Sequence, residues 1–155
     1  MAQKQTSRSR SGVFPLIGEG RWAKTVLITS RSAKTWILPK GRVEADMTPQ
    51  QSALKEALEE AGITGTLLSN APLGSYTACK SGRKHPIDIY PMAVDEILDN
   101  WPEKNIRSRR IVSLNEALTL ISNPSLCKIV HRGFAGIHRH QSSRRALPND
   151  QCKNR

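Results

Sequence analysis

The chain has few cysteines and few aromatic residues, and it has no long apolar run. Its three cysteines, Cys79, Cys127 and Cys152, stand far apart without a Cys-x-x-Cys pair, so neither a disulfide framework nor a structural zinc site is indicated. Aromatic residues make up only 5% of the chain, which argues against the aromatic-rich strands of common RNA-binding modules. No stretch approaches the roughly 18 apolar residues of a membrane-spanning helix. The polar start MAQKQTSRSR lacks the apolar region of a secretory signal, and a reducing cytoplasm is the expected location.

Acidic residues are scarce at the two ends of the chain. The net charge is +11, with seven Lys/Arg against one acid over 1–34 and five against one over 138–155. The remaining 35–137 hold twelve basic and eleven acidic residues, so the middle is nearly neutral. Basic ends attract polyanions of any kind, which leaves nucleic acid, membrane phosphate and a small polyphosphate open as partners.

The length of 155 residues fits one domain with its own core. We expect a flexible basic arm over 1–9, a folded domain over 10–138 and a basic, disordered tail over 139–155. Apolar runs bounded by Gly, Pro or charge predict strands at 12–18, 24–30, 35–38, 63–69, 72–79 and 86–94, with a basic hairpin loop over 80–84, an irregular connection over 95–110 and helices over 48–61, 114–121 and 124–137. This order predicts an α/β or α+β domain with a mixed sheet.

The helix over 48–61 carries the clearest local signals. Thr48 is a good N-cap, Pro49 suits the first helical position, and Gln51 completes a capping box. Gly62 stands where a left-handed C-terminal cap belongs. Four apolar residues share one stripe at helical spacing and should face the core: Leu54, Ala57, Leu58 and Ala61.

The same helix carries Glu56, Glu59 and Glu60 at i, i+3 and i+4, which places them on one side. Each like-charge pair of this kind costs about 0.2–0.5 kcal/mol on an exposed helix. A hard divalent cation would turn that repulsion into ligation, because such ions prefer carboxylate oxygens. A solvated acidic face is the alternative, since surface helices are rich in Glu.

The spacing around this helix resembles the Nudix box, G-x5-E-x7-R-E-U-x-E-E-x-G-U, where U is aliphatic. Gly41 fits the first position, and the later fixed positions are met by Glu56, Glu59, Glu60, Gly62 and Ile63. Met47 stands where the first Glu belongs, and Lys55 replaces the Arg. Over about residues 10–122 the chain is similar to the diphosphoinositol polyphosphate phosphohydrolase-like subfamily, including the run KHPIDIYPMAVDEILDNW.

The resemblance implies a three-layer α/β/α sandwich with a mixed sheet and hydrolysis of a diphosphate linkage by water attack. It implies Mg²⁺ or Mn²⁺ bound by Glu56, Glu59 and Glu60, any of which could also take a proton from the water. Basic residues around the site are expected to bind phosphate oxygens, together with the backbone of Gly41: Arg8, Arg10, Lys40, Arg42, Arg83 and Lys84. The resemblance implies that the Glu and Arg replaced here by Met47 and Lys55 brace the loop against the helix, so activity could be reduced, retuned or lost. Glu44 or Asp46 could supply a substitute carboxylate.

Other functions remain open at this point. The basic ends fit an RNA-binding module or an RNA 5′-pyrophosphohydrolase, and the two departures from the box fit a Nudix domain that binds without turnover. Glu96 is a further acid that could assist the water. Trp36 and Trp101 are expected at the edge of the core, and Cys79 and Cys127 as small buried residues. The sequence does not fix the oligomeric state.

Overall fold

Two β-sheets and three α-helices make up the computed structural model, which describes residues 9–32 and 34–145, without the side chains of residue 80 and of 137–145. The strands are β1 Arg10–Leu16, β2 Thr25–Thr29, β3 Trp36–Ile37, β4 Lys40–Arg42, β5 Ile63–Leu67, β6 Gly74–Lys80, β7 Arg83–Ile97 and β8 Arg109–Val112. The helices are α1 Pro49–Ala61, α2 Leu114–Leu120 and α3 Pro124–Arg145, and a short 3-10 turn spans Gly20–Trp22.

The larger sheet has the order β4-β1-β7-β5, and β6 pairs with the first half of β7. Strands β1 and β7 run parallel while their other neighbours run antiparallel, so the predicted mixed sheet is confirmed. The smaller sheet is antiparallel, with the order β3-β2-β8.

Helices cover the sheets from two sides, as the three-layer prediction requires. Val13 and Val26 belong to a core cluster that packs against α1. Their neighbours Phe14 and Leu27 belong to a second cluster with α2 and α3. Successive side chains of a strand point to opposite faces, so each strand contributes to both clusters.

The structure confirms the predicted ends of α1 and corrects its buried face. Thr48 and Gln51 form the capping box, and Gly62 ends the helix at φ 64°. Of the predicted stripe, Ala57 and Ala61 are buried and Leu54 packs against the core, but Leu58 is 38% exposed, contrary to the prediction, and Ala53 is buried instead. Alanines four residues apart let the helix backbone approach the sheet closely, and this turns the larger Leu58 toward solvent.

Sheet pairing extends or creates strands that the sequence patterns did not predict. Strand β4 lies between the predicted strand over 35–38 and the predicted helix over 48–61, where no strand was predicted, and it pairs with β1. The predicted irregular connection over 95–110 is strand at both ends, because β5 pairs with the end of β7 and β2 pairs with β8. The predicted hairpin loop over 80–84 is reduced to a turn at Ser81 and Gly82, both at positive φ.

Helix α3 continues past its predicted end at 137 to Arg145, and so passes the predicted domain boundary at 138. The helix runs through Gly133 without a break. A Cβ there would lie 2.5 Å from the ring of Phe14, so the glycine allows the helix to pack closely on that ring. Residues 1–8 and 146–155 lie outside the described residues, so the arm and the rest of the tail stay predictions. Trp36 and Trp101 are half-buried as expected, but Cys79 is exposed rather than buried. None of the described helices is both long enough and apolar enough to cross a membrane.

Candidate active site

Gly41 and Glu56 are in direct contact, which joins the edge strand β4 to the middle of α1. A Cβ built on Gly41 would lie 2.3 Å from the carboxyl carbon of Glu56, so only glycine leaves room for this carboxylate. The Glu56 side chain is half-buried and makes no hydrogen bond or ion pair with another described residue. Burial, and then the neighbouring Glu59 carboxylate, raise the pKa of Glu56.

Glu60 is the buried carboxylate of the site. One of its oxygens accepts a hydrogen bond from Arg107 Nη2 at 2.8 Å, and the other accepts one from the Lys40 backbone N–H at 3.1 Å. The Glu60 and Arg107 side chains are only 8% and 7% exposed. Burial raises the pKa of Glu60 to about 7, although Arg107 acts in the opposite direction.

Glu59 is paired with Lys55 on the same helix, and Lys55 in turn contacts the loop that precedes α1. The Lys55 ammonium lies 3.3 Å from the Glu59 carboxylate and also contacts the Glu44 carboxylate. The Glu44 backbone N–H donates to the Ser52 hydroxyl at 3.2 Å, which ties the same loop to the first half of the helix. Of the two acids that the sequence offered as substitutes for the missing Glu, the structure brings Glu44 to Lys55.

The three glutamates lie at one end of the site, but their carboxylates do not converge on a single point. Within residues 9–32 and 34–145, no group of three or more His, Cys, Asp or Glu side chains is close enough to hold a metal ion. Like charges repel, and Glu59 and Glu60 each have a cation within reach. The donor chemistry nevertheless fits a hard divalent ion: these are carboxylate oxygens, partly desolvated, with one of them against a glycine backbone. The metal site therefore stays a prediction.

Sequence reasoning missed the segment that holds the end of α1. The last carbonyl groups of α1 and of its cap accept hydrogen bonds from this segment, which spans residues 98–109. Glu59 accepts from the Glu103 N–H, Glu60 from Trp101 Nε1, Ala61 from Arg109 Nη1, and Gly62 from the Leu98 N–H. The Trp101 ring also packs on Gly62. Orphan carbonyls at a helix end need such partners, so this segment fixes the turn that carries Glu59 and Glu60.

Glu103 and Arg107 were also missed. The Arg107 guanidinium contacts Glu103 at 3.0 Å and donates to the Thr29 carbonyl at 2.9 Å, so it links α1 to β2. The i, i+4 spacing of Glu103 and Arg107 was a visible signal, but nothing local pointed Arg107 at Glu60, 47 residues away.

The predicted phosphate-binding residues fall into two groups. Arg10, Lys40, Gly41 and Arg42 lie together where β1 pairs with β4, with Arg10 directly opposite Arg42. Arg83 and Lys84 are exposed at the tip of the β6–β7 hairpin. They stand three and four residues before Ile87, the partner of Arg10, which corresponds to about 10–13 Å along the strand. Arg8 lies outside the described residues.

Comparison with known proteins agrees with this geometry. The family model described as NUDIX domain matches residues 6–132. Nudix hydrolase 21, chloroplastic, from Arabidopsis thaliana is 33% identical over 106 residues, which cover 68% of this chain and 54% of that protein. Diphosphoinositol polyphosphate phosphohydrolase 3-beta from Bos taurus is 36% identical over 75 residues, which cover 48% of this chain and 44% of that protein. The chain spans about half the length of the first two Arabidopsis relatives, 54% and 48%.

A crystal structure of C. elegans Ap4A hydrolase superposes with a TM-score of 0.69 at 16% identity, covering 83% of this chain and 97% of that one. That likeness concerns the fold. The family model matches well over half of the chain, and the glutamates, Gly41 and the capped helix occur at the spacing of the family's box. The chain therefore belongs to the Nudix family.

Proposed function

We propose that this chain is a metal-dependent hydrolase that cleaves a diphosphate linkage in a strongly anionic small molecule, of the diphosphoinositol polyphosphate or dinucleoside polyphosphate type. The observation that supports it best is the contact of Glu56 with Gly41 beside the buried Glu60, with two arginines at the adjoining strand edge. Carboxylates on α1 and guanidinium groups on the two strands it packs against suit a substrate with several phosphate groups, some held through a metal ion and some by cations of the chain.

Glu56, Glu59 and Glu60 would hold Mg²⁺ or Mn²⁺, as their positions in the box imply. When bound, such an ion neutralises phosphate charge and lowers the pKa of water. The chain's own groups do the rest: one glutamate takes the proton of the attacking water, and the guanidinium groups of Arg10 and Arg42 orient phosphate oxygens. The water oxygen forms a new bond to phosphorus, the bridging P–O bond breaks, and a phosphate leaves.

A panel of diphosphate compounds with Mg²⁺ or Mn²⁺ tests the proposal. Turnover should require the divalent ion and should fall by about 100-fold or more in Glu60→Gln. Glu19→Gln is the matched control, because Glu19 is exposed and makes no described ion pair, so its activity should equal the wild type. Full activity of Glu60→Gln, or no turnover of any compound by the wild type, would refute the hydrolase.

Two other readings are outcomes of the same experiment. Binding of a diphosphate without turnover would support the non-catalytic Nudix domain. The ion pairs of Glu59 and Glu60 favour this alternative, because a paired carboxylate is less available to a metal ion. RNA binding through the basic ends predicts affinity that falls steeply with salt and is unaffected by the Glu60 change. A cytoplasmic location also remains part of the proposal; relatives named chloroplastic and mitochondrial are known.

A further inference from the structure

Three polar side chains form a row across the larger sheet. Arg42 on β4 pairs with Arg10 on β1, Arg10 pairs with Ile87 on β7, and Ile87 pairs with Tyr76 on β6. Residues that pair directly across neighbouring strands place their side chains on the same face. Adjacent strands are about 4.8 Å apart, so long side chains from β1 and β6 can meet above Ile87.

Two members of this row, Arg10 and Tyr76, are buried and close enough to interact: Tyr76 acts to raise the pKa of Arg10, and Arg10 acts to lower the pKa of Tyr76. Arg10 is 7% and Tyr76 is 5% exposed, yet neither side chain makes a hydrogen bond or ion pair with another described residue. No fully buried side-chain nitrogen or oxygen in the described part of the chain lacks a partner. Both groups are therefore available as donors to a ligand at this face of the sheet.

The charged groups of the row indicate that its ligand is an anion. Burial and the adjacent Arg42 lower the pKa of Arg10, so two like charges stand side by side and an anion would stabilise both. Burial and then the Glu60 carboxylate raise the pKa of Tyr76, so its hydroxyl stays a neutral donor at working pH. The ring belongs to the core cluster that also contains Ile87, Ile129 and Phe134, so Tyr76→Phe keeps the apolar ring and removes only the hydroxyl.

We propose that Tyr76 is a specificity-determining residue: its hydroxyl donates a hydrogen bond to a phosphate group of the substrate that Arg10 and Arg42 hold by charge. The proposal deepens the hydrolase proposed above and rests on it for the identity of the substrate. It adds a third donor, from β6, to a phosphate subsite that the sequence predicted only on β1 and β4.

The test uses inorganic tripolyphosphate as the probe and isothermal titration calorimetry in a chelating buffer, so that no divalent ion takes part. Tyr76→Phe should weaken binding by about tenfold, the value of one hydrogen bond to a charged acceptor. With a substrate found in the panel, Tyr76→Phe should raise KM by a similar factor and change kcat less than threefold, since the bond is made in both ground and transition states.

Tyr90→Phe is the matched control. Tyr90 is also buried, at 4% exposed, but it belongs to the cluster against α1, and its charged neighbour is Asp88 rather than an arginine. Its tripolyphosphate affinity should stay within about twofold of the wild type. Thermal unfolding of both variants shows that the fold is kept.

The outcomes separate the two proposals. Unchanged affinity in Tyr76→Phe, an equal loss in Tyr90→Phe, or no binding of tripolyphosphate by the wild type would overturn the role of Tyr76. If the wild type binds the probe through Tyr76 but turns over no diphosphate, the subsite stands and the hydrolase fails. If Tyr76→Phe turns over a diphosphate with unchanged KM, the subsite fails and the hydrolase stands.

Discussion

The raised pKa of Glu60 predicts an unusual dependence of stability on pH. Its pKa is about 7 in the folded protein against an ordinary value of 4.5. Because folding favours the protonated form, the folded state binds more protons than the unfolded state between these values, and stability falls as pH rises through that window. A shift of roughly 2.5 units corresponds to about 3 kcal/mol at most.

The measurement is the free energy of unfolding in urea, with a chelator present, for the wild type and Glu60→Gln from pH 4.5 to 8. Glutamine does not titrate, so the stability difference between the two proteins isolates this group, and contributions of other carboxylates largely cancel. We expect the wild type to lose about 3 kcal/mol relative to the variant between pH 4.5 and 7.5.

The sign of the slope decides which physical effect dominates. Desolvation opposes the charged carboxylate, whereas the Arg107 ion pair at 2.8 Å favours it. If the wild type instead gained stability relative to Glu60→Gln as pH rises, the ion pair would dominate and the reasoning would be refuted. A flat difference would mean that the two effects cancel, which also contradicts the prediction.

Three further perturbations follow from the contacts of the site. Gly41→Ala should lower kcat by tenfold or more at about 1–3 kcal/mol of lost stability, because the new methyl overlaps the Glu56 carboxylate; normal activity would show that this contact is dispensable. Arg107→Met should lower the free energy of unfolding in urea more at pH 8 than at pH 5.5, because the Glu60 carboxylate loses its cation only where it is ionised; an equal loss at both pH values would contradict this. Glu44→Gln should cost less than about 1 kcal/mol of stability, because the Lys55–Glu44 ion pair is exposed, yet it should lower kcat. Adding Met47→Glu to this variant should restore kcat, and failure of that rescue would show that Glu44 does not act as the brace.

The predictable parts of the fold are those whose signals lie close together in sequence. Thr48, Gln51 and Gly62 predicted both ends of α1, because capping depends on residues within one helical turn. The spacing of the glutamates likewise predicts that they share one side of that helix. Where sheet pairing decides, prediction failed: β4 and β8 are stable only beside β1 and β2.

The sequence by itself determined the helix α1 with its three glutamates, its caps, the family resemblance and the nearly neutral middle of the chain. Only the tertiary structure decided which partner each carboxylate has: Gly41 for Glu56, Lys55 for Glu59 and Arg107 for Glu60. It also decided that Tyr76 and Arg10 share one face of the sheet. A helix repeats its contacts every three to four residues, so its pattern can be read locally. Strand register joins residues far apart in sequence, and it is set by packing of the whole sheet.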